Sequence, residues 1–327
     1  MKDKQALMKD ESIDSPLVTE RRLSVVVPAN NEAAGIGEAI DSLSGVLERC
    51  AKDWEIIAVD DGSEDDTYEI VREAARKDQR VRGIRFTRNF GKEAAILAGL
   101  RRATGDGVIT IDGDMQHPVT LIPDMVEAWN DGAKVVSAEK RRRTPDSVVA
   151  RFRAGCFNSI ASRLTGVEIR NSSDFKLLDR EVVDVMIHEL PERQRFYRGL
   201  SEWVGYRDVK LHFDVQERSG GEGKWSFLKL ADLAVTALVS FTSAPLRLVT
   251  IMGLLTLLLG FIIAVDTVIS LFRGIAVSGF ATIILTLLII GSFIMISLGI
   301  LGEYIAKIYE EIKQRPVYLI EDTTDPE

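Results

Sequence analysis

The sequence predicts an α/β protein: a mostly parallel sheet with helices on both faces, followed by an interfacial amphipathic helix and a two-helix transmembrane hairpin. Three observations carry this expectation. From Leu23 to about Asp214, short β-branched runs alternate with amphipathic stretches, the pattern of a parallel sheet wrapped by helices. Three of those runs end abruptly in polar residues. Near the C-terminus, Leu248 to Phe272 holds a single ionised residue, Asp266, and Ile275 to Gly302 holds none. About 20 apolar residues at a rise of about 1.5 Å each are enough to cross a bilayer, so both stretches qualify as spans.

Taken in order, Met1 to Glu20 is polar, with Asp3, Asp10, Glu11 and Asp14 and no central apolar stretch, so it reads as a flexible tail rather than a secretory signal. The α/β domain follows over residues 21–225. Leu23 to Val27 is a strand ended by Pro28, Glu55 to Val59 a second ended by Asp60, and Gly107 to Ile111 a third ended by Asp112. Ligands of open parallel sheets sit outside the carboxyl ends of the strands, so Asn30, Asn31, Asp60, Asp61, Asp112 and Asp114 are expected to converge on one crevice. Phe227 to Leu246 mixes Leu, Ala, Phe and Val with Lys229 and Asp232, the composition of an interfacial helix over residues 226–246. The spans occupy 247–306, and the loop between them is Arg273 and Gly274. So short a loop makes an antiparallel hairpin. Lys224, Lys229 and Arg247 precede it and Lys307, Lys313 and Arg315 follow it, against Arg273 alone between the spans, which puts both termini and the α/β domain on the cytoplasmic side. Residues 307–327 are expected to form a cytoplasmic tail.

Composition excludes several classes. The chain has 327 residues, with 41 Lys and Arg against 49 Asp and Glu, a formal charge of -8. Nucleic-acid binders neutralise phosphates with a basic surface, so no nucleic-acid partner is expected. Cys50 and Cys156 lie far apart with no metal-ligand spacing, which suits a reducing compartment and neither a disulfide framework nor a zinc site. Gly35-Ile36-Gly37 lacks the third glycine of a dinucleotide fingerprint, and no Walker-type loop occurs.

The sharpest local feature is Asp112-Gly113-Asp114-Met115-Gln116, placed directly after an apolar strand. Alternating carboxylates there present oxygen ligands to a hard divalent cation, which is usually held by one or two carboxylates plus substrate phosphates; a solvated Asp-Gly turn is the bland alternative. Asp60-Asp61-Gly62-Ser63 ends the preceding strand, where Ser63 with Asp65 or Asp66 suits a helix cap. Arg88 and Lys92 flank Asn89-Phe90-Gly91, a turn that can approach phosphate closely, or else they are a solvated face. The basic run from Lys140 to Arg143, with Arg151 and Arg153, suits a lipid phosphate or anionic head groups, or plain surface. Arg218 and Lys224 bracket a glycine-rich loop just before the interfacial helix. His117 offers itself as a further metal ligand or as a structural residue, and His188 and His212 match no motif. Asp266 inside a span is either functional or a helix-pairing group.

Taken together, Val26-Val27-Pro28-Ala29-Asn30-Asn31-Glu32, Asp60-Asp61-Gly62-Ser63, Arg88-Asn89-Phe90-Gly91-Lys92 and Asp112-Gly113-Asp114-Met115-Gln116-His117-Pro118 resemble family 2 glycosyltransferases of the GT-A fold. Asn171-Ser172-Ser173-Asp174-Phe175-Lys176, Glu192-Arg193-Gln194-Arg195-Phe196, Arg218 to Trp225 and the terminal hairpin narrow the resemblance to polyprenyl-phosphate glycosyltransferases, such as dolichol-phosphate mannose synthases and bactoprenol glucosyltransferases. It implies that Pro28, Asn30, Glu32 and Asp60 line a nucleotide pocket, that Asp112 reaches the ribose-phosphate region, and that Asp114 and Gln116 bind Mg²⁺ or Mn²⁺. It also implies that Arg88 and Lys92 serve the nucleotide-sugar, that Arg141, Arg151, Arg153 and Arg218 serve the acceptor phosphate, and that Asp112, Asp114, Asp174, Arg218 and Lys224 carry catalysis. The sequence departs from the relatives at Gly223, usually Ser, and Trp225, usually Tyr.

The implied reaction is inverting transfer of one sugar, with UDP-glucose the favoured donor because of the hairpin, to a polyprenyl phosphate; GDP-mannose and UDP-N-acetylhexosamines are the alternative donors. Asp174 is expected to position the acceptor rather than to act as a base, since a phosphate monoester with a second pKa near 6 is already largely dianionic. The implied setting is the cell membrane, with membrane lipid as a partner and the chain as a homo-oligomer, a homotetramer being one arrangement. A processive polysaccharide synthase is disfavoured because no Gln-x-x-Arg-Trp motif occurs, and a non-catalytic nucleotide-sugar module because metal and phosphate groups are kept together.

Overall fold

The computed structural model describes residues 19–113, 117–140, 172–193, 195–213, 244–274 and 279–324. Strands β1 (Leu23–Ala29) and β2 (Trp54–Asp60) are buried along their whole length, as their unbroken apolar runs require of parallel strands covered on both faces. β3 (Val81–Phe86) and β4 (Gly107–Thr110) extend the parallel core, and β5 (Val135–Lys140), β6 (Ser172–Asp179) and β7 (Asp208–Phe213) complete one wing. The eight-stranded order is β7-β5-β6-β4-β1-β2-β3-β8, where β8 is Ile320–Thr323. β6 runs antiparallel to both β4 and β5, and β8 runs antiparallel to β3.

The strand pleat sends alternate residues to two cores. Val25 and Val27 of β1, with Ile56 and Ala58 of β2, pack with helices α1 (Ile36–Cys50) and α4 (Ile122–Asn130) through Ile36, Ile40, Leu43, Leu47, Met125 and Trp129. Val26, Ile57 and Val59 face α3 (Lys92–Arg102). Each such aliphatic side chain stabilises the fold by about 1.5–3 kcal/mol when fully buried. Helix α3 presents Ala94, Ala95, Ala98 and Gly99, and a Cβ on Gly99 would stand 2.1 Å from Val26 Cγ1. The small face therefore lets the N-terminus of α3 lie directly over the sheet. α2 (Thr67–Lys77) lies along β3, and α5 (Arg180–Asp184) and α6 (Tyr197–Trp203) follow β6.

Glu55, near the start of β2, is a buried charged side chain, and the fold saturates it. Its carboxylate accepts from Ser24 Oγ (2.7 Å), Thr104 N and Oγ1 (2.7 Å each) and Arg82 Nη1 (2.9 Å). Burial would raise its pKa, but these donors outweigh burial and hold it below the ordinary carboxylate value.

Beyond the sheet, α7 (Ala244–Phe272) and α8 (Phe280–Ile312) pack on each other. Val249–Ser270 and Thr286–Ile312 within them are long and apolar enough to cross a membrane, with mean hydropathies of 2.3 and 2.0. Leu257, Phe261, Leu287 and Met295 all present their side chains outward, at 64–71 % exposure.

Several expected boundaries move. Among the described residues the second helix starts at Phe280, with Gly279 at its N-cap, rather than at Ile275. Helix α8 also runs on through Lys307 to Ile312, and the expected tail then becomes the edge strand β8. Thr19, expected in the flexible tail, is tied to Cys50 by a backbone hydrogen bond of 2.9 Å. The expected cap of α2 differs as well. Asp66 stands at the N-cap without a side-chain bond, Asp65 Oδ1 accepts from Thr67 N at 3.1 Å, and Ser63 is occupied elsewhere. The interfacial helix expected over 226–246 lies outside the described residues up to Ala244, which already begins α7.

Candidate active site

The chain runs outward from β1 to β2 and β3, then crosses back to place β4 on the other side of β1. The strand order therefore reverses between β1 and β4, and the carboxyl ends of such a pair are where open α/β sheets bind ligands. A cavity of about 430 Å³ opens there. Its wall is built from Pro28 and Ala29 at the end of β1, Asn30 and Glu32 after it, Asp61 after β2, Asn89, Gly91, Lys92 and Ala95 at and just before the start of α3, and Asp112 and Gly113 after β4.

One side of the cavity is a pinned loop. Asp61 accepts from Phe90 N at 2.7 Å and Gly91 N at 2.9 Å, while Asn30 Nδ2 donates to the Asp61 carbonyl at 2.8 Å. Gly62 has φ +65°, and a Cβ there would stand 2.3 Å from the Arg88 carbonyl carbon, so the turn after β2 closes on residues 88–89 only with glycine. Asp60 turns the other way: its Oδ1 accepts from Ser63 N at 3.1 Å and from Ser63 Oγ, and its Oδ2 faces Arg85 Nε at 3.6 Å. Ser63 Oγ in turn accepts from Asn31 N at 2.9 Å. Burial raises the pKa of both Asp60 and Asp61, partly offset by these donors. Of the expected crevice residues, Asn30, Asp61 and Asp112 line the cavity, whereas Asn31 and Asp60 shape the turn behind it.

The opposite side is a chain of alternating charges. The antiparallel register that pairs Thr110 with Lys176 carries Asp174 alongside Asp112. Lys92 Nζ lies between them, 2.6 Å from Asp112 Oδ1 and in contact with Asp174 Oδ2. Arg198 of α6 grips Asp174 from the far side, Nε to Oδ1 at 2.6 Å and Nη2 to Oδ2 at 2.9 Å, a bidentate pair. Burial would lower the Lys92 ammonium, but the Asp174 and Asp112 carboxylates outweigh it and hold it above its ordinary value. Burial would raise Asp174, yet Arg198 and Lys92 hold it well below the usual carboxylate range. A carboxylate so stabilised as an anion is a weak proton acceptor.

Helix α6 is itself fixed by two groups. Tyr197 is buried, with its hydroxyl 2.8 Å from Thr110 Oγ1 and its N–H donating to Glu93 Oε2 at 2.8 Å. Burial pushes Glu93 up to about 7, partly offset by the Tyr197 N–H. A carboxyl raised in the folded state contributes stability that is present below its unfolded value near 4.5 and is lost as pH rises through about 7. Glu93→Gln keeps an acceptor for Tyr197 N and cannot ionise. It should flatten the fall in thermal stability between pH 5 and 8, gaining on the order of 2 kcal/mol at the alkaline end. Parallel melting curves for wild type and variant across that range would rule this out.

His117 is buried between the rings of Phe175 and Phe213, at 5.5 and 5.4 Å, and its Nε2 faces Asp112 Oδ2 at 3.6 Å. It stands behind Asp112, which it and Lys92 hold below its ordinary pKa against the opposing effect of burial. Arg88 is exposed, its guanidinium over the Phe90 ring at 4.4 Å, and is not on the cavity wall. Asp114, Gln116, Arg141, Arg151, Arg153, Arg218 and Lys224 lie outside the described residues.

No group of three or more His, Cys, Asp or Glu able to hold a metal ion occurs among the described residues. Asp112 and Asp174 are already matched by Lys92 and Arg198, so their oxygens are not free for a cation. The remaining donors of the motif, the carboxylate of Asp114 and the amide oxygen of Gln116, follow Asp112 closely in sequence and are hard oxygen ligands of the kind Mg²⁺ and Mn²⁺ take. By donor chemistry they fit.

Two residues of the charge chain are not evident from motifs. Arg198 lies just past Glu192-Arg193-Gln194-Arg195-Phe196, where an arginine reads as surface. Glu93 sits in the first turn of α3, where an acid reads as complementing the helix dipole.

A family model described as glycosyl transferase family 2 matches residues 24–186, from β1 through α5. A glycosyltransferase of Synechocystis sp. whose own function is uncharacterized is 38 % identical over 302 residues, 92 % of this chain and 95 % of that one. The bactoprenol glucosyl transferase of Shigella phage SfII is 37 % identical over 301 residues, 91 % of this chain and 97 % of that one. Among solved structures, glucosyl-3-phosphoglycerate synthase from Mycobacterium tuberculosis, crystallised with Mn²⁺ and UDP-glucose, is similar over 67 % of this chain and 77 % of that one. Its 21 % identity and TM-score of 0.46 are too loose to transfer a residue or a ligand. With relatives this similar over nearly their whole length, and with its motifs gathered at the reversal point of the sheet, the chain belongs to glycosyltransferase family 2.

Proposed function

We propose that the chain transfers one glucose from UDP-glucose to a polyprenyl phosphate at the cytoplasmic face of a membrane, with inversion at the anomeric carbon. The observation that carries this is the joining of two features in one chain: a cavity of about 430 Å³ at the β1–β4 reversal whose wall includes Asp61, Lys92 and Asp112, and a pair of helices apolar enough to span a bilayer, linked back to the same sheet by β8. A cavity of that size is in the usual range for small-molecule sites. Relatives named as bactoprenol glucosyl transferases favour glucose and a polyprenyl acceptor. The Lys and Arg excess outside the hairpin favours a cytoplasmic domain with both spans crossing.

In this reading Pro28, Asn30, Glu32 and Asp61 hold the nucleoside. Asp112 stands at the ribose and phosphates, oriented by Lys92 and His117. An oxygen of the acceptor phosphate dianion attacks the anomeric carbon as the bond from that carbon to the diphosphate oxygen breaks, and the electron pair leaves with the nucleoside diphosphate. The attacking phosphate is already ionised, so no proton needs removal. Asp174, gripped by Arg198 and Lys92, keeps this end of the cavity rigid and its charge balanced. Asp114 and Gln116 would hold Mg²⁺ or Mn²⁺, whose charge eases departure of the diphosphate when bound.

The test is a screen of radiolabelled nucleotide-sugars against membranes containing the chain and polyprenyl phosphate. UDP-glucose should give label extractable into organic solvent, and that product should disappear with excess EDTA and return with Mg²⁺ or Mn²⁺. Label that goes only to water-soluble product would sink the acceptor assignment. Undiminished transfer in chelator would sink the metal.

A further inference from the structure

We propose that the segment following the second apolar helix is a positioning strap for the nucleotide-sugar loop, with Tyr318 as its key residue. The inference rests on the nucleotide-sugar reading of the cavity.

Residues 313–319 link the end of α8 to β8. A link that short reaches at most about 25 Å when extended. It does not hang free. β8 pairs with the outer edge of β3, placing Thr323 opposite Ile84 and Ile320 opposite Phe86, and Thr324 N donates to the Gly83 carbonyl at 2.9 Å. The edge is charge-matched: Arg72 meets Asp322 at 2.8 Å and Arg85 meets Glu321 at 3.2 Å.

β3 leads directly into the cavity wall, and the strap grips it at that junction. Thr87 N donates to the Leu319 carbonyl at 3.0 Å. The Tyr318 ring stacks on Phe86 at 4.9 Å with an interplanar angle of 12°. Phe86 in turn meets Phe90 edge-on at 5.8 Å. Phe90 N and Gly91 N are the two donors held by Asp61, and Asn89, Gly91 and Lys92 line the cavity. The chain of contact therefore runs from Tyr318 through Phe86 and Phe90 to the loop that also presents Lys92 to Asp112. A second link joins Arg85, held by Glu321, to Asp60 Oδ2 at 3.6 Å and to the Ser63 carbonyl at 3.4 Å, the turn that carries Asp61.

An edge strand is normally a liability that a fold covers or blunts, and any short strand could cover this one. The stacked tyrosine at the loop hinge, together with a carbonyl taking the first amide beyond β3, goes further than covering requires. Helix α8 is thereby coupled to the loop. Where the helix meets the bilayer, the strap fixes how far the cavity can stand from the membrane surface.

The test uses the full chain in detergent, comparing Tyr318→Ala and Tyr318→Phe. Loss of one aromatic pair should raise the KM for UDP-glucose about five- to tenfold, while the kcat and the KM for polyprenyl phosphate change less than about twofold. Tyr318→Phe keeps the stack and should behave as wild type. Hydrogen exchange without ligand gives an independent readout: the amides of Phe90 and Gly91 should exchange faster in Tyr318→Ala, while those of β1 and β2 stay protected. If the loop amides are unchanged, the strap idea is wrong whatever the donor. If they are loosened and the wild type uses no nucleotide-sugar, the positioning stands and the proposed function fails. A uniform fall in kcat with general loss of protection would mark Tyr318 as merely structural and overturn the proposal.

Discussion

Lys92→Ala should cost transfer on the order of 10²-fold or more, the scale seen when one preorganised charge is removed from a reacting site. The ammonium is the only cation among the described residues touching both Asp112 and Asp174. Without it, Asp112 loses its 2.6 Å partner and keeps only the His117 imidazole at 3.6 Å, while Asp174 keeps Arg198. Two carboxylates, one just past β4 and one in β6, would then face each other across a gap in a largely buried place. Like charges so placed push one carboxyl towards its protonated form and move side chains apart. The donor diphosphate would meet an added negative field instead of a balanced one, so both donor KM and kcat should suffer. The surface alternative, in which Lys92 only solvates the start of α3, predicts a change within about twofold, as for most exposed charges. Lys92→Arg separates charge from fit: a planar fork on a longer arm cannot place one donor between two carboxylates, so rescue should be partial. A Lys92→Ala chain that melts like wild type and turns over normally would remove Lys92 from the site.

The central sheet was legible because its chemistry is repetitive. Unbroken β-branched runs such as Val25-Val26-Val27 and Ile56-Ile57, bounded by turn residues, read as buried parallel strands, and their polar ends mark where a ligand would sit. What was not legible turns on single residues. In Asp60-Asp61 the composition is symmetrical, but Asp60 is the last residue of β2, pairing with Ala29 and Arg85, so the pleat fixes its side chain away from the cavity. Asp61 is the first residue past β2, and its side chain meets the loop. No pattern in sequence fixes a strand end to one residue. The pairing of Arg198 with Asp174 depends on how α6 docks on β6, a tertiary fact settled by buried Tyr197 against Thr110 and Glu93. β8 was hidden for another reason. Ile-Glu-Asp-Thr has neither length nor alternation, and its sense appears only beside Arg72 and Arg85 on the edge it covers.

Arg218→Ala and Lys224→Ala should each lower turnover on the order of 10²-fold, even with a short, soluble prenyl phosphate in detergent. The reason lies in the charge balance of the described cavity. Lys92 and Arg198 are the cations in contact with Asp112 and Asp174, and each spends its charge on those carboxylates. Such a balanced chain has little positive field left for substrates. Yet the proposed reaction brings a phosphate dianion up to a diphosphate, an approach that is steeply unfavourable in a water-poor site. A divalent cation at Asp114 and Gln116 would answer the diphosphate, and the acceptor phosphate needs cations of its own. Arg218 and Lys224 flank Ser219 to Gly223, with glycine at 220, 221 and 223, a segment able to fold closely over a ligand. In sequence they also fall between the α/β domain and the apolar helices, the junction that a soluble donor and a lipid-borne phosphate would share. Simple contact with anionic head groups would instead be worth about 1 kcal/mol for each residue and would fade with salt. Detergent separates the two: head-group contact predicts normal turnover there and a defect only on anionic vesicles, whereas charge compensation at the reacting phosphates predicts the loss in both. Normal turnover of both variants on the soluble acceptor would leave the acceptor dianion without its proposed partners and remove these two residues from catalysis.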